Sequence, residues 1–276
     1  MQTVQTRYSR RAIVSDFRRH SMLYALFLPV LAYFVVFHYA PMYGVVIAFQ
    51  RFNIRFGVFG SPWIGFENFR KFFGSYYFGR IVGNTFRLSF LDLLFAFPAN
   101  ILFALLLNEI GKPWFKRGVQ TLTYLPYFIS SVVAAGIIID FTSSEGIVAK
   151  FVGLFTGQVI NLMAHKEQFS AIYVGSNIWQ GIGFGSIIYL AAISSVNPEL
   201  YEAAIVDGAG RIRQTIHVTL PGILPTIVIM LILRIGNMLS IGYEKMLLLQ
   251  NASNLEASEI ISTFVYRKGL IEASYG

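Results

Sequence analysis

The chain has 276 residues, of which 55% are hydrophobic, 16% aromatic and only 13% charged, with a formal net charge of +8 and a mean hydropathy of +0.59. Soluble domains carry roughly 25% charged residues, so an ordinary soluble domain and a disordered chain are both excluded, and the class is integral membrane. The lack of cysteine removes disulfide scaffolds, thiolate metal sites and cysteine nucleophiles, while basic residues scattered between apolar runs argue against nucleic acid as a partner.

Residues 1–21 form a basic amino-terminal segment containing Arg7, Arg10, Arg11, Arg18 and Arg19, and residues 22–276 read as one transmembrane domain. Crossing ~30 Å of hydrocarbon takes ~20 mostly apolar residues. Five runs meet that need, at about 22–40, 85–107, 118–139, 171–194 and 221–241, which predicts an all-α polytopic bundle. Pro29, Pro98, Pro126 and Pro225 fall in or near these runs and mark kinks that neighbouring helices can tolerate. The first run is too long for a signal peptide and no small-residue cleavage site follows it, so it reads as a retained anchor. A cytoplasmic amino terminus then places segments 1–21, 108–117 and 195–220 inside, where Lys and Arg are about twice as dense as in the external segments. Five spans leave the carboxyl terminus outside.

Several chemistries lack their residues. Gly111 and Lys112 are followed by Pro113, and no glycine lies five residues before Gly111, so no phosphate-binding loop exists. His20, His38, His165 and His217 are far apart and never spaced as zinc ligands. Gly181, Gly183 and Gly185 imitate part of a dinucleotide fingerprint, but within an apolar span they predict close helix packing.

The polar segment between the fourth and fifth runs reads as a compact helix, turn, helix knob on the cytoplasmic face. Asn197 caps a short helix, Pro198 suits its first position and Glu199 favours its positive end. Gly208 stops or bends that helix, and a second short stretch from Arg211 to His217 leads to Pro221, which is predicted to begin the fifth span.

Glu202-Ala203-Ala204, then Gly208, then Val218-Thr219-Leu220-Pro221 resembles the EAA loop of permease subunits in binding-protein-dependent ATP-binding-cassette importers, with Val218 where isoleucine is usual. The resemblance extends to most of the chain and is strongest to the carbohydrate-uptake branch serving complex oligosaccharides and polysaccharides. It is carried by Phe37–Gly44, Gly65–Phe69, Thr123–Ser130, Leu233–Asn237 and Phe264–Leu270. It implies that Glu202, Ala203, Ala204, Asp207, Gly208, Arg211, Leu220 and Pro221 form a coupling element docking on a cytoplasmic ATPase subunit. It also implies a second permease chain, two ATPase subunits carrying ATP and magnesium, an external solute-binding protein, a saccharide cargo, no cofactor on this chain and a bacterial cytoplasmic-membrane location. Family members continue into one more membrane helix, so a sixth span is expected beyond residue 276.

Intramembrane charge is costly unless it faces a cavity or a partner, so charged residues within spans are pathway candidates. Arg234 leads them, followed by Asn237 and Ser240 at helical spacing; pairing of Arg234 with Asp92, or outward snorkelling, is the alternative. Arg87 and Asp92 lie in the second span, while Tyr173, Trp179 and Tyr189 in the fourth are able to stack on sugar rings or pack in the core. Arg87 and Arg234 lean the cargo toward an acidic polymer such as alginate. The expected function is therefore saccharide import by alternating access, with no covalent chemistry on this chain. The rival is a secondary transporter or channel driven by membrane potential, using Arg234 and Asp92 as its coupling charges.

Overall fold

The computed structural model describes residues 19–239 and 242–274, so Ser240 and Arg7, Arg10, Arg11 and Arg18 lie outside the described residues. The backbone groups into two compact units divided between Ser75 and Tyr76.

The first unit starts with α1 (Ser21–Phe49), an apolar helix of 29 residues with none of its most apolar window buried. Its turn widens to π geometry at Val35–Tyr39, where the Ala40 N–H reaches the Val35 carbonyl. Pro41 follows at once, and the wider turn absorbs a ring that would clash with the carbonyl four residues back and that offers no N–H. Beyond α1 the chain doubles back through one isolated antiparallel bridge, Gln50 to Trp63. Asn68, on α2 (Glu67–Phe73), pins that hairpin by donating to the Ala48 and Gln50 carbonyls at 3.1 and 3.0 Å. Phe49 stacks on Trp63 with centroids 5.5 Å apart, and Phe66 and Phe69 close around it. Gly65 supplies the left-handed turn, φ +62°, that sets Phe66 and Asn68 in place.

The second unit is built on α3 (Tyr76–Glu109), whose 34 residues make a rod of about 50 Å. Its buried positions Ile81, Thr85, Leu88, Asp92 and Ala96 recur every three or four residues and form one stripe. That stripe packs on α7 (Lys166–Ser194), the most extensive helix pairing in the unit. Between them run α4 (Pro113–Tyr124), α5 (Ser131–Thr142) and α6 (Ile147–Thr156). The third predicted span, 118–139, is divided: a 3-10 turn at Leu125–Phe128 and extended backbone at Ile129 and Ser130 separate α4 from α5. Pro126 and the Ser130 cap, which accepts the Val133 N–H, explain the break, and the membrane-length stretch shifts to Ser131–Thr156.

After α7 come α8 (Pro198–Val206) and α9 (Arg211–Gly236), then α10 (Tyr243–Leu249), α11 (Leu255–Ser258) and α12 (Ile261–Tyr266). The fifth span corrects the prediction that Pro221 begins it. The helix runs unbroken from Arg211 because a π turn at Thr215–Thr219, with Leu220 N–H on the Thr215 carbonyl, accommodates Pro221 as the first π turn accommodates Pro41. Among the described residues, four helices are long and apolar enough to cross a membrane, or five when α7 and α8, bent by 71°, count as one broken span.

Two apolar clusters hold the unit. Leu88, Ala135, Ile138, Phe169, Met246 and Ile260 form one, and Ala104, Tyr189, Ile193 and Ile223 the other. The predicted glycine packing is present: a Cβ on Gly183 would lie 2.2 Å from the Thr123 carbonyl, and one on Gly185 would lie 2.6 Å from the Asn100 amide. Gly181 is different, having open space and facing a cavity.

Candidate translocation cavity and coupling knob

A cavity of about 460 Å³ opens between α3, α7, the end of α9 and the start of α10. Its polar wall is a chain of contacts centred on Asp92, which is 7% exposed. One carboxylate oxygen is ion-paired with Arg234 and the other accepts from Asn177 Nδ2 at 2.9 Å. Asn177 Oδ1 in turn accepts from Lys245 Nζ at 2.8 Å, and Lys245 also reaches Gln180 Oε1 at 3.3 Å. The ammonium lies 5.9 Å from the Tyr173 ring centre, close enough for a cation–π attraction. Helical periodicity explains the assembly: Asn177 and Gln180 are three apart on α7, and Ser89, Asp92 and Ala96 share the facing stripe of α3. Arg234 thus pairs with the carboxylate directly while Lys245 is joined to it only through Asn177, and with two cations to one carboxylate the wall carries net positive charge. Ser89 helps fix the far end of α9 by donating to the Met238 carbonyl.

Of the predicted pathway residues, Asp92, Arg234 and Asn237 meet at this cavity and Arg87, Trp179 and Tyr189 do not. Asn237 follows the last turn of α9 and donates to the Leu233 carbonyl at 2.9 Å. Arg87 faces a separate polar groove with Arg80, Lys166 and Glu256. Trp179 lines an apolar pocket with Ile137, Phe141 and Val152. Tyr189, 2% exposed, packs edge-on against Phe97 in the second apolar cluster. Sequence reasoning missed Lys245, Asn177, Gln180 and Asn100. The signal for Asn177 and Gln180 was present, as amides inside an apolar run, while Lys245 lay in a segment assigned outside the spans.

Beyond the cavity the segment from α10 to α12 is stitched down by buried polar groups. Asn254, fully buried, donates to the Met163 and Leu249 carbonyls and accepts from Asn251 N and Ser258 Oγ. Glu259, 1% exposed, sits between Arg80 of α3 and Arg267 and pairs with both. Thr85 accepts the Ile261 N–H at 3.0 Å. At the rim, Lys166 bonds Glu256 at 2.7 Å and its hydrogen bond holds that carboxyl below the ordinary value.

The knob occupies the other end of α9. Asn197 accepts the Glu199 N–H at 3.1 Å and Pro198 starts α8. Gly208, φ +74°, ends it in a Schellman arrangement, with Ala209 N–H on the Ala204 carbonyl and Gly208 N–H on that of Ile205. Gln214 of α9 donates to the Ala209 carbonyl at 2.8 Å, and Tyr201 bonds Thr219 at 3.0 Å, so α8, the turn and α9 form one braced body. Arg211 reaches Glu109 at the end of α3, an exposed pair that adds little stability. Glu202, Ala203, Asp207 and Gly208 are exposed, as are Val206 (87%) and Ile212 (78%). Glu202 has no side-chain partner among the described residues. Leu220 leans on the second apolar cluster and Pro221 is exposed on α9.

The chain is 42% identical to Protein LplB of Bacillus subtilis over 94% of its own length and 81% of that protein's. It is likewise 42% identical to the polygalacturonan/rhamnogalacturonan transport system permease protein YteP of the same organism, covering 96% of this chain and 83% of YteP. A solved bacterial ABC transporter involved in the import of the acidic polysaccharide alginate superposes on 95% of this chain and 89% of the matched one, with TM-score 0.87 and 42% identity. Residues 72–242, which include the knob and all of the cavity lining except Lys245, match the family of binding-protein-dependent transport system inner membrane components, and the chain belongs to that family.

Proposed function

We propose that the chain is the permease subunit of an ATP-driven importer that passes an acidic oligosaccharide or polysaccharide into the cytoplasm by alternating access. The observation that carries this reading is the continuity of α9. Arg211, beside the Gly208 turn, and Arg234, at the cavity, lie 23 residues apart on one helix, roughly 35 Å at 1.5 Å per residue. A braced knob on such a rod passes displacement to the residue that holds Asp92, which is what an ATP-driven partner requires. The chain catalyses no covalent step in this account: ATP and magnesium sit on two ATPase subunits that grip Glu202 to Gly208 and the apolar side chains beside it.

The acidic cargo rests on the charge balance at the cavity, where Arg234 and Lys245 outnumber Asp92, and on the polygalacturonan and alginate named for the relatives. Carboxylates on the sugar rings would accept charge-assisted hydrogen bonds, and Asn100, Gln180 and Asn237 offer amides to hydroxyl groups. The partners in this reading are a second permease chain, the ATPase pair and an external binding protein, in a bacterial cytoplasmic membrane with the amino terminus inside.

The test is uptake of labelled oligouronate by proteoliposomes holding the assembled complex and its binding protein. Uptake that needs ATP and survives a protonophore supports the proposal. Uptake that continues without the ATPase subunits and collapses with the membrane potential refutes it and favours the secondary transporter.

A further inference from the structure

We infer that Asp92 is a built-in stand-in for the cargo carboxylate: it occupies Arg234, and through Asn177 Lys245, while the pathway is empty, and yields those cations to a uronate carboxylate during passage. This rests on the acidic-cargo reading above and goes beyond it, because it assigns the cavity's one carboxylate a role in specificity and timing.

Asp92 presents the same chemical group that a uronate ring carries. One of its oxygens is held by the Asn177 amide, which has no charge to lose, and the other is engaged by Arg234. Arg234 has five N–H donors, of which one nitrogen serves Asp92, and its side chain is 51% exposed at the cavity. It can therefore accept a second carboxylate before releasing the first. Lys245 is placed differently. It is 9% exposed, touches no carboxylate directly, and is satisfied by the carbonyl oxygens of Asn177 and Gln180 and the face of Tyr173. A cation held only by neutral groups gains more from an arriving anion than one already paired, since the nearest negative charge is on the far side of Asn177. Asn177 links the two: its amide donates to Asp92 and its carbonyl accepts from Lys245, so its orientation reports on both.

The arrangement also limits how tightly cargo is held. With Asp92 in place, a bound uronate competes with an internal carboxylate for Arg234 and leaves readily, which a conducting path needs. Without Asp92 the two cations would hold an anionic chain as a trap. The sign of the effect is the distinguishing feature, for removing an acidic residue strengthens retention while removing a basic one weakens it.

The experiment uses the full complex in nanodiscs, arrested with vanadate after loading a fluorescent oligogalacturonate, and follows its release on dilution. Assembly with the ATPase subunits is confirmed for each variant. Asp92→Asn is expected to slow release about tenfold and Lys245→Gln to speed it about tenfold, the scale of one charge-assisted hydrogen bond, with Lys245→Arg restoring the parent rate. A merely structural role would loosen retention in both. Should Asp92→Asn fail to assemble, Asp92→Ser, which also removes the carboxylate, carries the sign test in its place. Release that is unchanged or faster in Asp92→Asn, or not rescued by Lys245→Arg, overturns the inference while leaving the acidic-cargo reading intact. A parent complex that arrests a carboxyl-reduced oligosaccharide but no oligogalacturonate removes that reading, and this inference with it.

Discussion

Glu259 offers a direct reading of what holds the segment carrying Lys245 against the rest of its unit. Its side chain is 1% exposed and its two oxygens pair separately with Arg80 and Arg267, whose side chains keep 21% and 33% of their exposure. Glu259→Gln preserves shape but removes the charge, and turns one acceptor into an NH2 facing a guanidinium. Breaking a fully buried pair by removing one partner costs about 3–5 kcal/mol, because the remaining charge stays desolvated. Here both arginines can recover some water, so the lower end applies, about 3 kcal/mol. At roughly 2–4 °C per kcal/mol for a unit of this size, the thermal unfolding midpoint of the detergent-solubilised protein should fall by about 6–12 °C. Arg80→Ala made in the Glu259→Gln background should cost less than in the parent, as expected for partners in one network. A midpoint unchanged within about 1 °C would refute the reasoning, since it would mean that desolvation of the triad already offsets its attraction.

Two further predictions follow from single contacts. Gly183→Ala places a Cβ 2.2 Å from a backbone carbonyl of α4, so it should sharply reduce the yield of folded protein, whereas Gly181→Ala, with open space around it, should be tolerated by the same size-exclusion measure. Glu256 is held below its ordinary value of 4.5 by the Lys166 hydrogen bond, with the Lys166 charge adding to it. A carboxyl lowered in the folded state contributes stability above its unfolded value and loses it as pH falls through the folded one. The unfolding difference between the parent and Lys166→Met should therefore be present at pH 7 and vanish in acid below the carboxylate range; a difference that persists there would contradict the assignment.

The knob was legible because its signals are local. Asn197 as a cap, Pro198 at the first helical position and Gly208 at the stop are each readable from a few neighbours, and the Gly208 turn has the φ of +74° that its residue type permits. The unbroken α9 was not legible, because a proline normally opens a helix and only the backbone bonding of the π turn before Pro221 reveals otherwise. Trp179 and Tyr189 belonged to a run apolar on every side, where period alone does not tell a cavity face from a packed one. Asp92 and Arg234 were each visible as charges in apolar surroundings, but their meeting spans 142 residues of chain and was one of two alternatives for Arg234. Lys245 escaped because the apolar run after it, Met246 to Leu249, is too short to read as a membrane element.

The central claim, that a partner ATPase docks on the knob, is tested most directly by affinity purification of the chain from its native membrane in mild detergent, beside Gly208→Asp and Glu202→Lys. Gly208→Asp forces a side chain onto a left-handed backbone position at the turn, and Glu202→Lys reverses an exposed charge that has no partner among the described residues. The account predicts that an ATPase subunit co-purifies with the parent and is lost or strongly depleted in both variants, each of which remains folded. A folded parent that brings down no ATPase, or variants that retain it in full, would contradict the account.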